Sequence, residues 1–340
     1  MSTRIVIQGA PGSPYTRKML ALLRYKHIPY AYVNRAQAEA AGLPRPKVEL
    51  LPTLYFPNPD ASITAATDST PMIRRLEANY PARAVLPPDP ALAFLDALIE
   101  DYADEWLTKA MFHYRWHFTA DAEKAGTILP MHMAITAPDA ALAQMKTVFT
   151  GRQVPRLRYV GSNPTTAAVI EASYRRVLAI LRDLLATTPF LFGARPAAAD
   201  FALYGQLTQL AHFDPTSMAI ALAEAPRVFA WVDVMEDLSG VADDAAWASP
   251  AEAGPGLAPL LAEIGRVYVP VLLANEAAIA AGAAQVQTTV DGGEWLQNPF
   301  PYHVKCLAAL RARHAGLPAA SRASVDSWLA GTGVELLFPA

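Results

Sequence analysis

Apolar and polar positions come in short blocks over the first 80 residues. Ile5-Val6-Ile7 is an apolar run of strand length, broken by Gly9-Ala10-Pro11-Gly12. Ser13-Pro14 then opens a helix: serine is a preferred N-cap, and proline loses nothing at the first helical position. Met19, Leu20, Leu22 and Leu23 give that helix an apolar side, and Ile28-Pro29 ends it. Residues 30–34 (YAYVN) predict a second strand, parallel to the first because a helix joins them. Residues 35–47, interrupted by alanine and proline, leave room for one variable helix. A strand headed by Pro52 follows over residues 50–56, then a turn at Asn58-Pro59-Asp60 and a short returning strand at Ser62-Ile63-Thr64. Asp68-Ser69-Thr70-Pro71 caps a helix that runs through Met72, Ile73 and Leu76 to Tyr80.

After the proline-rich stretch 81–90 the apolar period becomes helical. Leu95, Ile99, Tyr102 and Trp106 form one row that continues into residues 111–118 (MFHYRWHF). Residues 124–138 read as irregular, 139–149 as a short helix and 151–164 as a loop. Ile170, Tyr174, Val177, Leu181 and Leu184 mark a strongly amphipathic helix after Asn163-Pro164. Helices are also expected after Pro196 and Pro226. Beyond residue 245 the pattern predicts a long helix over 257–282, with Leu260, Leu261, Ile264, Val267 and Val271 as its stripe. A hairpin turning at Asp291-Gly292 and helices near 302–314 and 321–330 complete the chain.

Composition narrows the function classes. Of 340 residues, 53% are hydrophobic and 17% charged, so a large core is expected and disorder is not. A net charge of −3, without basic runs, argues against nucleic acid or an anionic membrane as partner. One cysteine, Cys306, leaves no internal disulfide and no cysteine-rich metal site. The start of the chain lacks a signal-peptide pattern, and no 18-residue apolar span is free of charges and breakers. A cytoplasmic location is expected.

Candidate chemistry starts at Ser13. It stands at a helix mouth, where orphan N–H groups and the helix dipole favour an anion such as a thiolate. It also reads as a cap and nothing more. His113 and His117 have a spacing zinc can use, but no third ligand fits and HEXXH is absent, so no metal is expected. Cys306 reads as a small buried hydrophobe.

Three pieces, in order and at consistent spacing, resemble the thioredoxin-like domain of glutathione S-transferases. They are Ser13-Pro14-Tyr15 with Arg17-Lys18 and Ile28-Pro29-Tyr30, then Leu51-Pro52-Thr53-Leu54, then Asp68-Ser69 followed by Ile73-Arg74-Arg75-Leu76-Glu77. Residues 190–207 (FLFGARPAAADFALYGQL) are similar to the family's C-terminal signature, with one departure. Where the family usually has Ser or Thr three residues before the Asp, this chain has Ala197, a lost cap hydroxyl worth about 1 kcal/mol.

The resemblance implies an α/β thioredoxin-like βαβ-ββα domain over 1–80, a linker at 81–90, an all-α domain over 91–245, and an unusually long extension, 246–340, packed on the helical domain. It implies a serine-type, bacterial-like transferase that uses glutathione as co-substrate, binds a small apolar electrophile and forms a homodimer. By resemblance Ser13 holds the glutathione sulfur as thiolate, with the hydroxyls of Tyr15 and Thr16 as alternatives. Pro52 is expected to be cis and to turn the Leu51 backbone toward the cysteinyl part. Asp68 takes the γ-glutamyl ammonium, and Ser69 with its helix N-terminus takes the carboxylate. Lys47 takes the glycyl carboxylate, with Arg35 and Arg45 as rivals. Tyr102, Trp106, His113, Tyr114 and His117 are candidates for the acceptor pocket; an aromatic stripe of this kind also reads as core. A non-catalytic binding or scaffold protein and a glutathione-dependent peroxidase are the alternatives on the same fold.

Overall fold

Ile5 and Ile7 are buried while Val6 and Gln8 are half-covered, the period of two expected of a strand with one face on a core. In the computed structural model, which describes residues 4–338, this is β1 (Ile5–Gln8). It is followed by α1 (Pro14–Tyr25), β2 (Tyr30–Val33), α2 (Arg35–Ala40), β3 (Thr53–Pro57), β4 (Ile63–Ala66) and α3 (Ser69–Asn79). The sheet order is β2-β1-β3-β4, with β1 and β2 parallel and the other pairs antiparallel. Register decides what shares an edge. Gln8 faces Thr53 and Leu54 faces Ala66, so the chain leaving β1, entering β3 and leaving β4 does so at one end of the sheet. Ser13, Leu51-Pro52 and Asp68-Ser69 all belong to that end.

The helical part holds α4 (Pro90–Tyr102), a π-turn (Ala103–Leu107), α5 (Thr108–His117), α6 (Thr119–Met131), α7 (Asp139–Gln153), a 3₁₀ turn (Val154–Tyr159), α8 (Ala167–Leu184), α9 (Ala198–Leu210), α10 (Pro215–Glu224) and α11 (Pro226–Met235). Every residue of α9 is buried, and the helix packs against α1, α4 and α5. Its closest approach is at Gly205, where a Cβ would lie 2.6 Å from the Pro14 carbonyl oxygen, so α1 seats on α9 only through a glycine. Ala197 occupies the N-cap without a hydroxyl, but Asp200 supplies the other half of the cap. Its carboxylate accepts the Ala197 N–H at 2.8 Å and the Leu191 N–H at 2.9 Å.

The remaining chain forms α12 (Pro250–Gly256), α13 (Ala258–Glu263), a second π-turn (Ile264–Tyr268), α14 (Val269–Ala280), β5 (Val286–Val290), β6 (Gly293–Gln297), α15 (Pro301–Ala315), α16 (Ala319–Leu329) and a 3₁₀ turn (Val334–Leu337). Leu260, Leu261, Ile264, Val267 and Val271 are all buried. α13 packs on α8, and α12, α15 and α16 pack on α4. The hairpin turns at Asp291 and Gly292 with positive φ at both (52° and 75°), which the Asp-Gly pair accommodates.

Three local expectations differ from what forms. Residues 124–138 are not all irregular, since α6 runs to Met131. Its contact with α7 is made through Gly126, close to Thr150 and Lys146, so no apolar period marks it. Residues 151–164 are not wholly loop, since α7 reaches Gln153 and a 3₁₀ turn follows; α7 buries no residue, so its length left little trace in the pattern. The helix over 257–282 is interrupted by the π-turn. Pro270 has no N–H to return to the Arg266 carbonyl, and the ladder widens just before it. No single helix among the described residues is long and apolar enough to cross a membrane.

Candidate functional site

Three hydroxyls crowd the start of α1, and their partners separate them. Tyr15 donates to the Asp104 backbone carbonyl at 2.7 Å, pointing it across to the π-turn. Thr16 is buried and accepts the Ala10 N–H at 3.4 Å, bracing the preceding loop. Ser13, half-buried at the N-cap in extended backbone, accepts the Thr16 N–H at 3.2 Å. Accepting leaves its own proton free to donate toward the sheet end. The loop before it is held from outside. The buried Arg115 of α5 donates to the Gly12 carbonyl at 2.9 Å and pairs with Asp214 at 3.0 Å.

The Leu51–Pro52 peptide is cis, and Leu51 is exposed beside it. Lys47 is exposed, and among the described residues no carboxylate lies within ion-pair reach of it. Arg35 and Arg45 are both paired with Glu39 and Glu49.

Asp68 caps α3 from φ 77°, a conformation that a non-glycine residue keeps only when its surroundings hold it. Two bonds do so: it accepts the Thr70 N–H at 3.3 Å on Oδ1 and the Tyr302 hydroxyl at 2.6 Å on Oδ2. Burial, with Asp68 as neighbour, pushes the Tyr302 hydroxyl's pKa up, so the phenol keeps its proton. Ser69 differs from its expected role. It is buried, and its hydroxyl accepts from Lys18 Nζ at 3.0 Å and lies 3.3 Å from Asp104 Oδ2, so it faces inward.

Lys18 is the hub beneath the site. Its side chain is 1% exposed, and its ammonium also meets Glu100 at 2.8 Å and Asp104 at 2.7 Å. Burial alone would lower its pKa, but the two carboxylates outweigh it and hold the lysine charged. Burial pushes Asp104 up to about 7 against the pull of Lys18. Thr70 donates to Glu100 at 3.1 Å, so α1, α3 and α4 are stapled together under Asp68. Neither Lys18 nor Tyr302 was singled out as a site residue from the sequence. A lysine followed by Met19 and Leu20, and Glu100 and Asp104 four apart in an apolar helix, are the signals that could have found the buried pair.

The aromatic row lies inside. Tyr102, Trp106, His113 and Tyr114 are buried, and His117 is exposed but stacks on His113 at 4.6 Å. Trp106 donates to Ser173 at 2.8 Å and lies 5.2 Å from Trp295, which the β5–β6 hairpin inserts against it. Burial and the neighbouring His117 push His113 down to about 4, so it is neutral at pH 7. No group of three or more His, Cys, Asp or Glu among the described residues is arranged to hold a metal ion. Cys306 is buried, and burial raises its thiol pKa.

This chain is similar in fold to several solved structures. A glutathione S-transferase from Methylobacterium radiotolerans, in complex with glutathione sulfonate, matches at 20% identity over 73% of this chain and 97% of its own, with a TM-score of 0.42. One from Rhodospirillum rubrum matches at 20% identity over 69% and 89%, TM-score 0.41. A glutathione transferase from Burkholderia graminis, with two glutathione molecules per subunit, matches at 16% over 69% and 88%, TM-score 0.43. A comparison with curated proteins gives no match. The family models for the glutathione S-transferase N-terminal domain, over residues 8–84, and C-terminal domain, over residues 139–233, both match, in the order in which the sheet and the helices follow one another. With both domains matched and the four-stranded sheet followed by the helical array, the chain belongs to the glutathione S-transferase superfamily.

Proposed function

We propose that this chain is a serine-type glutathione transferase of the cytoplasm that conjugates glutathione to a small apolar electrophile. The observation that carries the reading is the division of labour among the three hydroxyls: Tyr15 spends its proton on a backbone carbonyl, Thr16 is buried and braces the loop, and Ser13, half-buried, keeps its proton at the mouth of α1. The tripeptide lies along the sheet end. Its cysteinyl backbone pairs with Leu51, as in strand addition. Its γ-glutamyl ammonium meets Asp68, and its α-carboxylate meets the backbone N–H groups at the start of α3. The Ser69 hydroxyl, turned inward, does not reach it, so Ser69 contributes through its main chain. Lys47, with no carboxylate partner, takes the glycyl carboxylate. The bound thiol gives its proton to water, the thiolate forms a bond to the electrophilic carbon, and the leaving group departs with the displaced electron pair. Catalysis then consists of thiol activation and positioning.

One observation favours a second reading. Trp295 fills the space against Trp106, and four of the five residues expected at the acceptor pocket are buried. A GST-like protein with no room for an acceptor would bind glutathione without conjugating it. Retention on immobilised glutathione followed by assays with electrophiles and peroxides separates the two readings, and separates peroxide reduction from conjugation. Retention without turnover favours the binding protein, and no retention removes the glutathione reading altogether.

Asp68→Ala is expected to weaken glutathione binding by about 1.5–3 kcal/mol, the usual worth of a hydrogen bond to a charged group. Calorimetry on wild type and variant checks this, and equal affinities would refute the docking at Asp68. We also propose a homodimer, as the family implies. Because α12, α15 and α16 cover α4, the two copies would meet on another surface. Sedimentation at micromolar concentration should then give twice the chain mass of 36.6 kDa, and a monomer mass sinks the idea.

A further inference from the structure

We infer that Tyr302, carried by the long C-terminal extension, is a positioning residue of the glutathione site: it aims Asp68 at the ligand's ammonium. The inference rests on the glutathione reading above and adds a residue from outside both matched domains.

The contact spans 234 positions of sequence, so only tertiary structure makes it. It joins the second residue of α15 to the cap of α3. A carboxylate has about four acceptor sites, and Asp68 uses one for Thr70 and one for Tyr302. The residue is only half-buried, so acceptor capacity stays open at the sheet end. Tyr302 therefore fixes the carboxylate's rotation without using it up.

Tyr302 is itself held firmly. The turn before α15 is clamped by the buried Asn275 of α14, whose amide donates to the Phe300 carbonyl at 3.0 Å and accepts the Phe300 N–H at 2.7 Å. The next residue, His303, is buried, 3.2 Å from Glu105 of the π-turn. Phe300 packs edge-on against His303 at 4.8 Å. These contacts leave the Tyr302 ring at the surface, 38% exposed, with its hydroxyl on Asp68. An exposed ring whose one polar atom is spent on the cap of a neighbouring helix has a local effect, so phenylalanine there should fold normally.

The test is calorimetry on full-length wild type and Tyr302→Phe, with glutathione and with its desamino analogue, N-glutaryl-cysteinylglycine, which lacks only the ammonium. Tyr302→Phe should bind glutathione about tenfold more weakly, the scale of one charge-assisted hydrogen bond. It should bind the analogue as the wild type does. Equal affinity for glutathione in both proteins overturns the inference, as does tighter binding by Tyr302→Phe, which would make the hydroxyl a competitor for Asp68. Parallel loss of both ligands would mean that Tyr302 merely supports the fold, and overturns it too. A wild type that binds neither ligand refutes the glutathione reading, and the role of Tyr302 falls with it. That outcome is distinct from one in which wild type binds and the variant is unaffected.

Discussion

Ser13→Ala is expected to lower turnover with an electrophile by about 100-fold or more while leaving glutathione affinity nearly unchanged. Removing a single preorganised donor aimed at developing negative charge costs about 2.7–4 kcal/mol in well-formed sites. Ser13 has the geometry for such a donor. Its oxygen already accepts from Thr16 N–H, which fixes the side chain, and its proton is uncommitted. The start of α1 adds favourable partial charge, about 0.3–1 kcal/mol at an exposed helix end and more when partly buried. Binding should change little because, in the proposed docking, the remaining polar contacts to the tripeptide are at Leu51, Asp68, the start of α3 and Lys47. The direct readout is the thiolate absorbance of the binary complex against pH. Wild type should titrate lower than free glutathione, and Ser13→Ala should move back toward it. Tyr15→Phe is the control: it loses the bond to the Asp104 carbonyl, costing about 1 kcal/mol of stability, and leaves the titration in place. A titration that moves in Tyr15→Phe and stays put in Ser13→Ala transfers the role to Tyr15. A wild type without any thiolate signal supports the binding protein instead.

How far the chain could be read before folding depends on the range of each interaction. β1, α1, β2, β3, β4 and α3 were legible because each is announced by local chemistry: a breaker after Gln8, Ser13-Pro14, a proline before β3, Asp68 before α3. The stripe from Leu260 to Val271 was legible because a buried helix face leaves a period. α6 was not, since it meets α7 through Gly126, and small residues carry no hydrophobic signal. The site shows the same division. Ser13, Pro52 and Asp68 stand in recognisable local patterns. Lys18 and Tyr302 stand in none, because what distinguishes them is a partner on a distant segment. The aromatic row was legible as helical. The covering of Trp106 involves Trp295, which arrives from a hairpin 189 positions later and could not be anticipated from either segment alone. Likewise, Ser69 reads as part of a binding pair until Lys18 is seen to hold its hydroxyl from below.

The largest effect on stability should come from Lys18→Met. The side chains of Lys18, Glu100 and Asp104 are 1%, 5% and 9% exposed, so water cannot replace the lost ammonium. Breaking a buried pair by removing one partner costs about 3–5 kcal/mol, because the charge left behind keeps its desolvation penalty. Here two carboxylates are left behind. The size of the loss should depend on pH, and the sign follows from linkage. In the wild type Lys18 is held above its ordinary pKa, so it stays charged throughout the range from pH 5 to 8. In the variant both carboxylates lose their counter-charge, and Asp104, already raised by burial in the wild type, is pushed further up. Protonated Asp104 is tolerated at low pH, and stability falls as pH rises from its unfolded pKa to its folded one. The destabilisation should therefore be larger at pH 8 than at pH 5, which urea midpoints at the two pH values would measure. Adding Glu100→Gln and Asp104→Asn to Lys18→Met should recover much of the loss at pH 8, since amides keep the shape and carry no charge. Ser69 sits on the same ammonium, so Lys18→Met should also loosen the start of α3 and weaken glutathione binding, and the triple variant should recover stability more fully than binding. A midpoint that is unchanged at both pH values would mean that water reaches these three groups and that the pairing beneath the site contributes little.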